Sequence, residues 1–199
     1  MIHKNGYKAL GVSREAVREA IRVLELTGLV LCVHGEGNFL ADDLSKCFVE
    51  PMSIVFMLGC NDVRQVQQLR QVLEVKTAEL ASEKASRSEI DRLESICRRF
   101  EIETDEHTRS VLDRDLHYAI AEIAGNPLIL SVYNAASILI KDLISDIRLR
   151  IINNSNSVET IDRQHFEIVQ AISENDAVKA ACSMDAHMKS VRELIEKYL

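Results

Sequence analysis

In LGVSREAVREAIRVLELTGLV, residues 10–30, the apolar positions Val17, Ala20, Ile21 and Leu24 fall three and four apart. That spacing lines one face of a helix. Ser13 precedes the run, where its hydroxyl can accept an amide proton of the first turn. Gly28 follows it, where a left-handed residue stops a helix. The period then changes. Two β-prone stretches, 29–33 and 38–41, flank His34-Gly35-Glu36-Gly37, which predicts a hairpin whose glycines supply positive φ. DLSKCFVEP, 43–51, predicts a linker ending at Pro51. Helical spacing then resumes in a short segment near 52–58 and over 62–84, 88–103, 107–124, 127–150, 158–173 and 176–197. AGNPL, 124–128, is the sharpest break: Gly125 can close one helix, Asn126 can cap the next, and Pro127 suits its first turn. NNSNS, 153–157, predicts a polar loop with Ser157 as a cap. Helices of this length with short connections favour an antiparallel bundle. The expected architecture is mainly α: a helix-and-hairpin head over 1–43, a linker over 44–51 and an all-α bundle over 52–199.

Composition supports that reading. Seven glycines, two prolines and 5% aromatic residues in 199 leave few breakers and few strand formers, while 47% hydrophobic residues supply a sizeable core. No apolar run approaches the length of a membrane span, and MIHKNGYKAL lacks the apolar block of a signal peptide. Cys32, Cys47, Cys60, Cys97 and Cys182 are odd in number and scattered, which predicts reduced, mostly buried thiols in a cytoplasmic protein. A net charge of −7 argues against a general nucleic-acid coat. Residues 1–34 nevertheless carry five Lys/Arg against three Glu, so the head alone could meet DNA.

Two constellations carry chemistry. Arg14, Arg18 and Arg22 lie along one side of the first helix, and an arginine in the major groove can donate two bonds to guanine. The same residues fit a surface helix in which they pair with Glu15, Glu19 and Glu25. In DRDLH, Asp113 and His117 stand four apart among Leu112, Leu116 and Ile120, so both can reach one ion. His165 and His187 lie in later helical segments at or near apolar faces. One carboxylate and three imidazoles converging inside a bundle suit zinc, nickel, iron or manganese. Each histidine taken singly also fits a satisfied residue between helices. Arg70 stands four residues before Glu74, which fits either a surface ion pair or a cation aimed at a ligand. His3 and His107 have no partner pattern and are expected in solvent, and Asp115, Glu122 and Glu167 are expected to point away from the site.

LGVSREAVREAIRVLELTGLV and VHGEGNFLAD together resemble the winged helix-turn-helix of GntR-family transcription regulators. LRQVLEVKTAELAS, DRDLHYAIAEIAGNPLI and RQHFEIVQAISENDAVKAACSMDAHMKSV resemble the FCD effector domain of its FadR subgroup. The resemblance implies that Ser13, Arg14, Arg18, His34 and Gly35 contact DNA. It implies that Asp113, His117, His165 and His187 hold a divalent transition metal, and that Arg70 meets the carboxylate of a small organic or hydroxy acid. It further implies a homodimer on operator DNA, acting as a repressor more often than an activator, with no catalytic residue. Only nine residues, MIHKNGYKA, precede Leu10, whereas the family has a first helix and most of a second there. The head is therefore expected to be incomplete, leaving Val17, Ile21 and Leu24 without a brace. Two other functions fit the residues: a sensor without DNA affinity, and a metal-dependent hydrolase activating water at an open coordination position.

Overall fold

The computed structural model describes residues 11–41, 46–59, 62–151 and 155–198. Two compact units divide the chain between Met52 and Ser53. His3 lies outside the described residues, as do the first nine residues on which the expectation of an incomplete head rests.

In the first unit, helix α1 spans Arg14–Leu26 and strands β1 and β2 span Val30–Val33 and Gly37–Leu40. Ser13 caps α1 by accepting from the amide of Ala16 at 3.1 Å. Gly28, at φ +76°, turns the chain out of the helix. β1 and β2 pair antiparallel, with Val30 opposite Leu40 and Val33 opposite Gly37. Val30 is buried, and Val17, Ile21 and Leu24 are half-buried rather than open to water.

Residues 44–51 do not form the expected linker. Helix α2 spans Lys46–Gly59 and carries Pro51 inside it. Proline costs the helix one amide donor, but near the N-terminal end that loss is modest. In the second unit, Ser53 donates to the carbonyl of Ala135 at 2.9 Å and Phe56 packs on the body. These anchors outweigh the local breaker.

Helices α3 (Val63–Lys84), α4 (Arg87–Ile102), α5 (Glu106–Ile123), α6 (Pro127–Ile151), α7 (Ser155–Ser173) and α8 (Ala177–Tyr198) follow. α7 therefore begins two residues before the expected cap at Ser157. Gly125 adopts φ +61°, and Asn126 accepts from the amides of Leu128 and Ile129, as the AGNPL pattern implies. α3 packs most extensively on α8, and both pack on α7. One apolar cluster joins Leu93, Phe100, Leu116, Ile120, Ile168 and Met184; a second joins Val66, Tyr133, Ile140, Ile161 and Val191. Among the described cysteines Cys97 is in the core, where burial pushes its thiol up to about 12, but Cys32 and Cys182 are exposed rather than buried. No helix among the described residues is long and apolar enough to cross a membrane.

Candidate metal centre

α5 is apolar on the face that carries Leu112, Leu116, Ala119, Ile120 and Ile123, and the same helical repeat turns Asp113 and His117 inward. α7 and α8 each bring one histidine to the same depth. Asp113, His117, His165 and His187 are all at most 5% exposed. One ring nitrogen from each of the three histidines lies within 4.8 Å of the others. Imidazoles sharing a zinc-sized ion sit no more than about 4.2 Å apart, so small side-chain adjustments suffice. Asp113 Oδ1 is 3.4 Å from His165 Nε2, and Oδ2 is 3.9 Å from His117 Nε2.

A cation fits the state of these groups. His117 Nε2, both ring nitrogens of His165 and Nδ1 of His187 are buried without a hydrogen-bond partner. Buried unsatisfied polar atoms each cost about 1–3 kcal/mol, and a metal accepting their lone pairs removes that cost. Burial, reinforced by the neighbouring cations, keeps the imidazoles neutral: His165 is held down to about 3 despite Asp113, and His187 is also lowered. Neutral imidazole is the ligating form. Burial opposes the charged form of Asp113, but His165, His117 and Arg148 outweigh it and hold its carboxyl below the usual range.

Sequence reasoning missed the supporting shell. Arg70 and Glu74 form their pair in the core, both 1% exposed, rather than on the surface. Arg70 Nε donates to Glu74 Oε1 at 2.7 Å. The other carboxylate oxygen lies 2.5 Å from His117 Nδ1. Glu74 thus orients a ligand imidazole from behind. Burial works against its charge, but Arg70 and His117 hold the carboxyl at about 2. The i, i+4 spacing of Arg70 and Glu74 was visible; their depth was not, because α3 also buries Gln67 and Thr77 and has no clean apolar stripe.

Arg148 on α6 gave no local signal at all. It is 4% exposed and lines a cavity of about 20 Å³ together with Arg70, Asp113 and His187. Tyr133, 1% exposed, holds a hydroxyl with no hydrogen-bond partner. His107 is exposed, Asp115 pairs with Arg114, and Glu122 and Glu167 face solvent, as expected.

Residues 65–190 match the FCD domain family. The chain is 29% identical over 189 residues to the HTH-type transcriptional regulator LutR of Bacillus subtilis, covering 94% of this chain and 86% of that protein. It is 27% identical over 187 residues to the HTH-type transcriptional repressor NanR of Escherichia coli, covering 90% and 69%. A solved GntR structure from Streptococcus agalactiae superposes with a TM-score of 0.62 at 27% identity, covering 94% of this chain and 85% of that one.

This chain is a GntR-family regulator with an FCD effector domain. The relatives are transcription regulators rather than enzymes, which removes the hydrolase reading. α1 with the β1–β2 hairpin is the winged helix-turn-helix head of the GntR regulator, and the histidine cluster lies inside its FCD domain. In the head, Arg14, Arg18 and His34 are exposed, and Gly35 sits at the hairpin tip with φ +83°.

Proposed function

We propose that this GntR regulator is a metabolite-responsive repressor. Its FCD domain binds one divalent transition metal through Asp113, His117, His165 and His187, together with a small carboxylic or hydroxy acid. The observation that carries the reading is the burial of unpartnered imidazole nitrogens around one point beside Asp113. Two relatives support the regulatory half, one of them named a repressor. The donor set of imidazole and carboxylate accepts zinc, nickel, iron or manganese. The metal supplies positive charge and open coordination positions for an acid oxygen. Arg70, in the cavity wall, adds a fixed cation on the effector side.

In this reading the head uses Ser13, Arg14 and Arg18 at the start of its recognition helix, and His34 and Gly35 at the wing tip, to meet operator DNA. The regulator works in the cytoplasm as a homodimer, so its operator contains two symmetric half-sites. An effector changes DNA affinity only by binding one arrangement of the dimer more tightly than another.

Elemental analysis of the chain purified without added metal tests the site. About one divalent ion per chain is expected, and His165→Ala is expected to lose it while keeping its helical circular dichroism. Wild-type protein that takes up no divalent ion even when supplied with zinc or nickel overturns the metal reading.

A further inference from the structure

Arg148 occupies an unusual position. It is 4% exposed and surrounded by three carboxylates. Nε donates to Glu106 Oε1 at 2.5 Å, Nη1 reaches Asp113 Oδ1 at 3.5 Å, and Nη2 stands 3.7 Å from Asp162 Oδ1. The last distance is beyond a hydrogen bond, and Nη2 is buried with no hydrogen-bond partner. A buried guanidinium N–H left unpaired is costly, so the donor is kept for something that arrives. The space it borders is the cavity of about 20 Å³ shared with Asp113 and His187. That volume holds about one water.

The charges point to the kind of ligand. Glu106, Asp113 and Asp162 face Arg109 and Arg148, leaving one negative charge in excess, while Arg70 and Glu74 balance each other. A divalent ion on Asp113 and the imidazoles reverses that excess to one positive charge. It also draws Asp113 toward the metal and away from Nη1, whose contact is already long. The Nη1–Nη2 edge of Arg148 then presents two parallel donors, the geometry that matches a carboxylate. Arg70 is differently placed: its Nε and Nη2 are both turned to Glu74.

Access is also legible. Glu106, Arg109 and Asp162 line an outer cleft of about 670 Å³, together with Phe100 and Phe166. Arg148 joins Glu106 and Asp162 from the inner side. One ion-paired layer therefore separates the outer cleft from the metal cavity, and Arg148 is the member of it that faces inward.

We propose that Arg148 is the anion-binding residue of the metal cavity, its Nη edge receiving the single carboxylate of a small monocarboxylic acid. Arg70 contributes field and holds Glu74, and Arg148 contributes the hydrogen bonds. The inference rests on the metal reading above, and the test separates the two.

Zinc-loaded wild-type chain is titrated by calorimetry and by ligand-observed magnetic resonance with acetate and with its neutral isostere acetamide. Wild type is expected to prefer acetate at least tenfold. Arg148→Gln is expected to abolish that preference while still holding about one zinc per chain. Arg148→Lys, which keeps the charge beside Glu106 and Asp162 but loses the fork, safeguards against a folding defect and is expected to bind acetate about fivefold more weakly than wild type. Zinc uptake by wild type without any preference for acetate, or equal acetate affinity in wild type and either variant at full zinc loading, overturns the role of Arg148 and leaves the metal site standing. Failure of wild type to take up zinc overturns both.

Discussion

Glu74 serves two partners at once. One oxygen balances Arg70 and the other stands against His117 Nδ1, in a place almost closed to water. Removing its charge leaves Arg70 buried and uncompensated, so Glu74→Gln is expected to cost about 3–5 kcal/mol, read from urea unfolding of the metal-free chain. A loss under 1 kcal/mol contradicts the buried pair. The imidazoles make the metal-free chain acid-sensitive in a particular window. An unfolded histidine takes up its proton near 6.5, whereas folded His165 stays neutral down to about 3. Between those values the unfolded state binds the extra proton, so unfolding free energy falls as the pH falls. His187 is shifted in the same direction. The urea midpoint of metal-free protein is therefore expected to drop steadily from pH 7 to pH 5, and a flat profile in that range contradicts the burial of neutral imidazoles. At this scale the four candidate ligands were legible because each sits on an apolar helical face. Glu74 and Arg148 were not. Whether an i, i+4 pair lies in water or in the core is settled by tertiary packing, and nothing near Arg148 in the chain points 35 positions back to Asp113.

The helices that place these residues are bounded by local chemistry, and most of those bounds could be read in advance. Gly125 closes α5 at φ +61°, where a side chain is strained by about 1–2 kcal/mol. An added Cβ there also meets Lys84 Nζ at 3.4 Å, and that ammonium donates to the carbonyl of Ala124 at 2.6 Å. Gly125→Ala is accordingly expected to lower stability by about 1–2 kcal/mol, measured by thermal or urea unfolding, with no change in metal content. An unchanged stability contradicts the tight closure. Asn175 performs the same turn after α7 without glycine, at φ +54°, with its amide and that of Asp176 returning to the last turn of the helix. α2 escaped the sequence reading for the opposite reason. Pro51 is a strong local stop signal, yet Phe56 and Ser53 gain partners on the body that no local pattern reveals.

At the scale of the whole molecule, two compact units carry two chemistries. The head offers an exposed arginine row on a capped helix and a glycine-tipped hairpin; the FCD domain offers a buried cation site. Arg18→Ala is expected to weaken specific operator binding by about 1–3 kcal/mol in a gel-shift titration at fixed salt, with little effect on metal content. An unchanged shift counts against α1 as the recognition helix. Both units depend less on any one element than on the second unit folding around its metal ligands. The most direct measurement is therefore X-ray absorption at the zinc edge of the zinc-loaded chain. The account expects a nitrogen and oxygen shell near 2.0–2.1 Å, outer-shell scattering from three imidazoles and no sulfur. A sulfur shell, or scattering from fewer than two imidazoles, would contradict it.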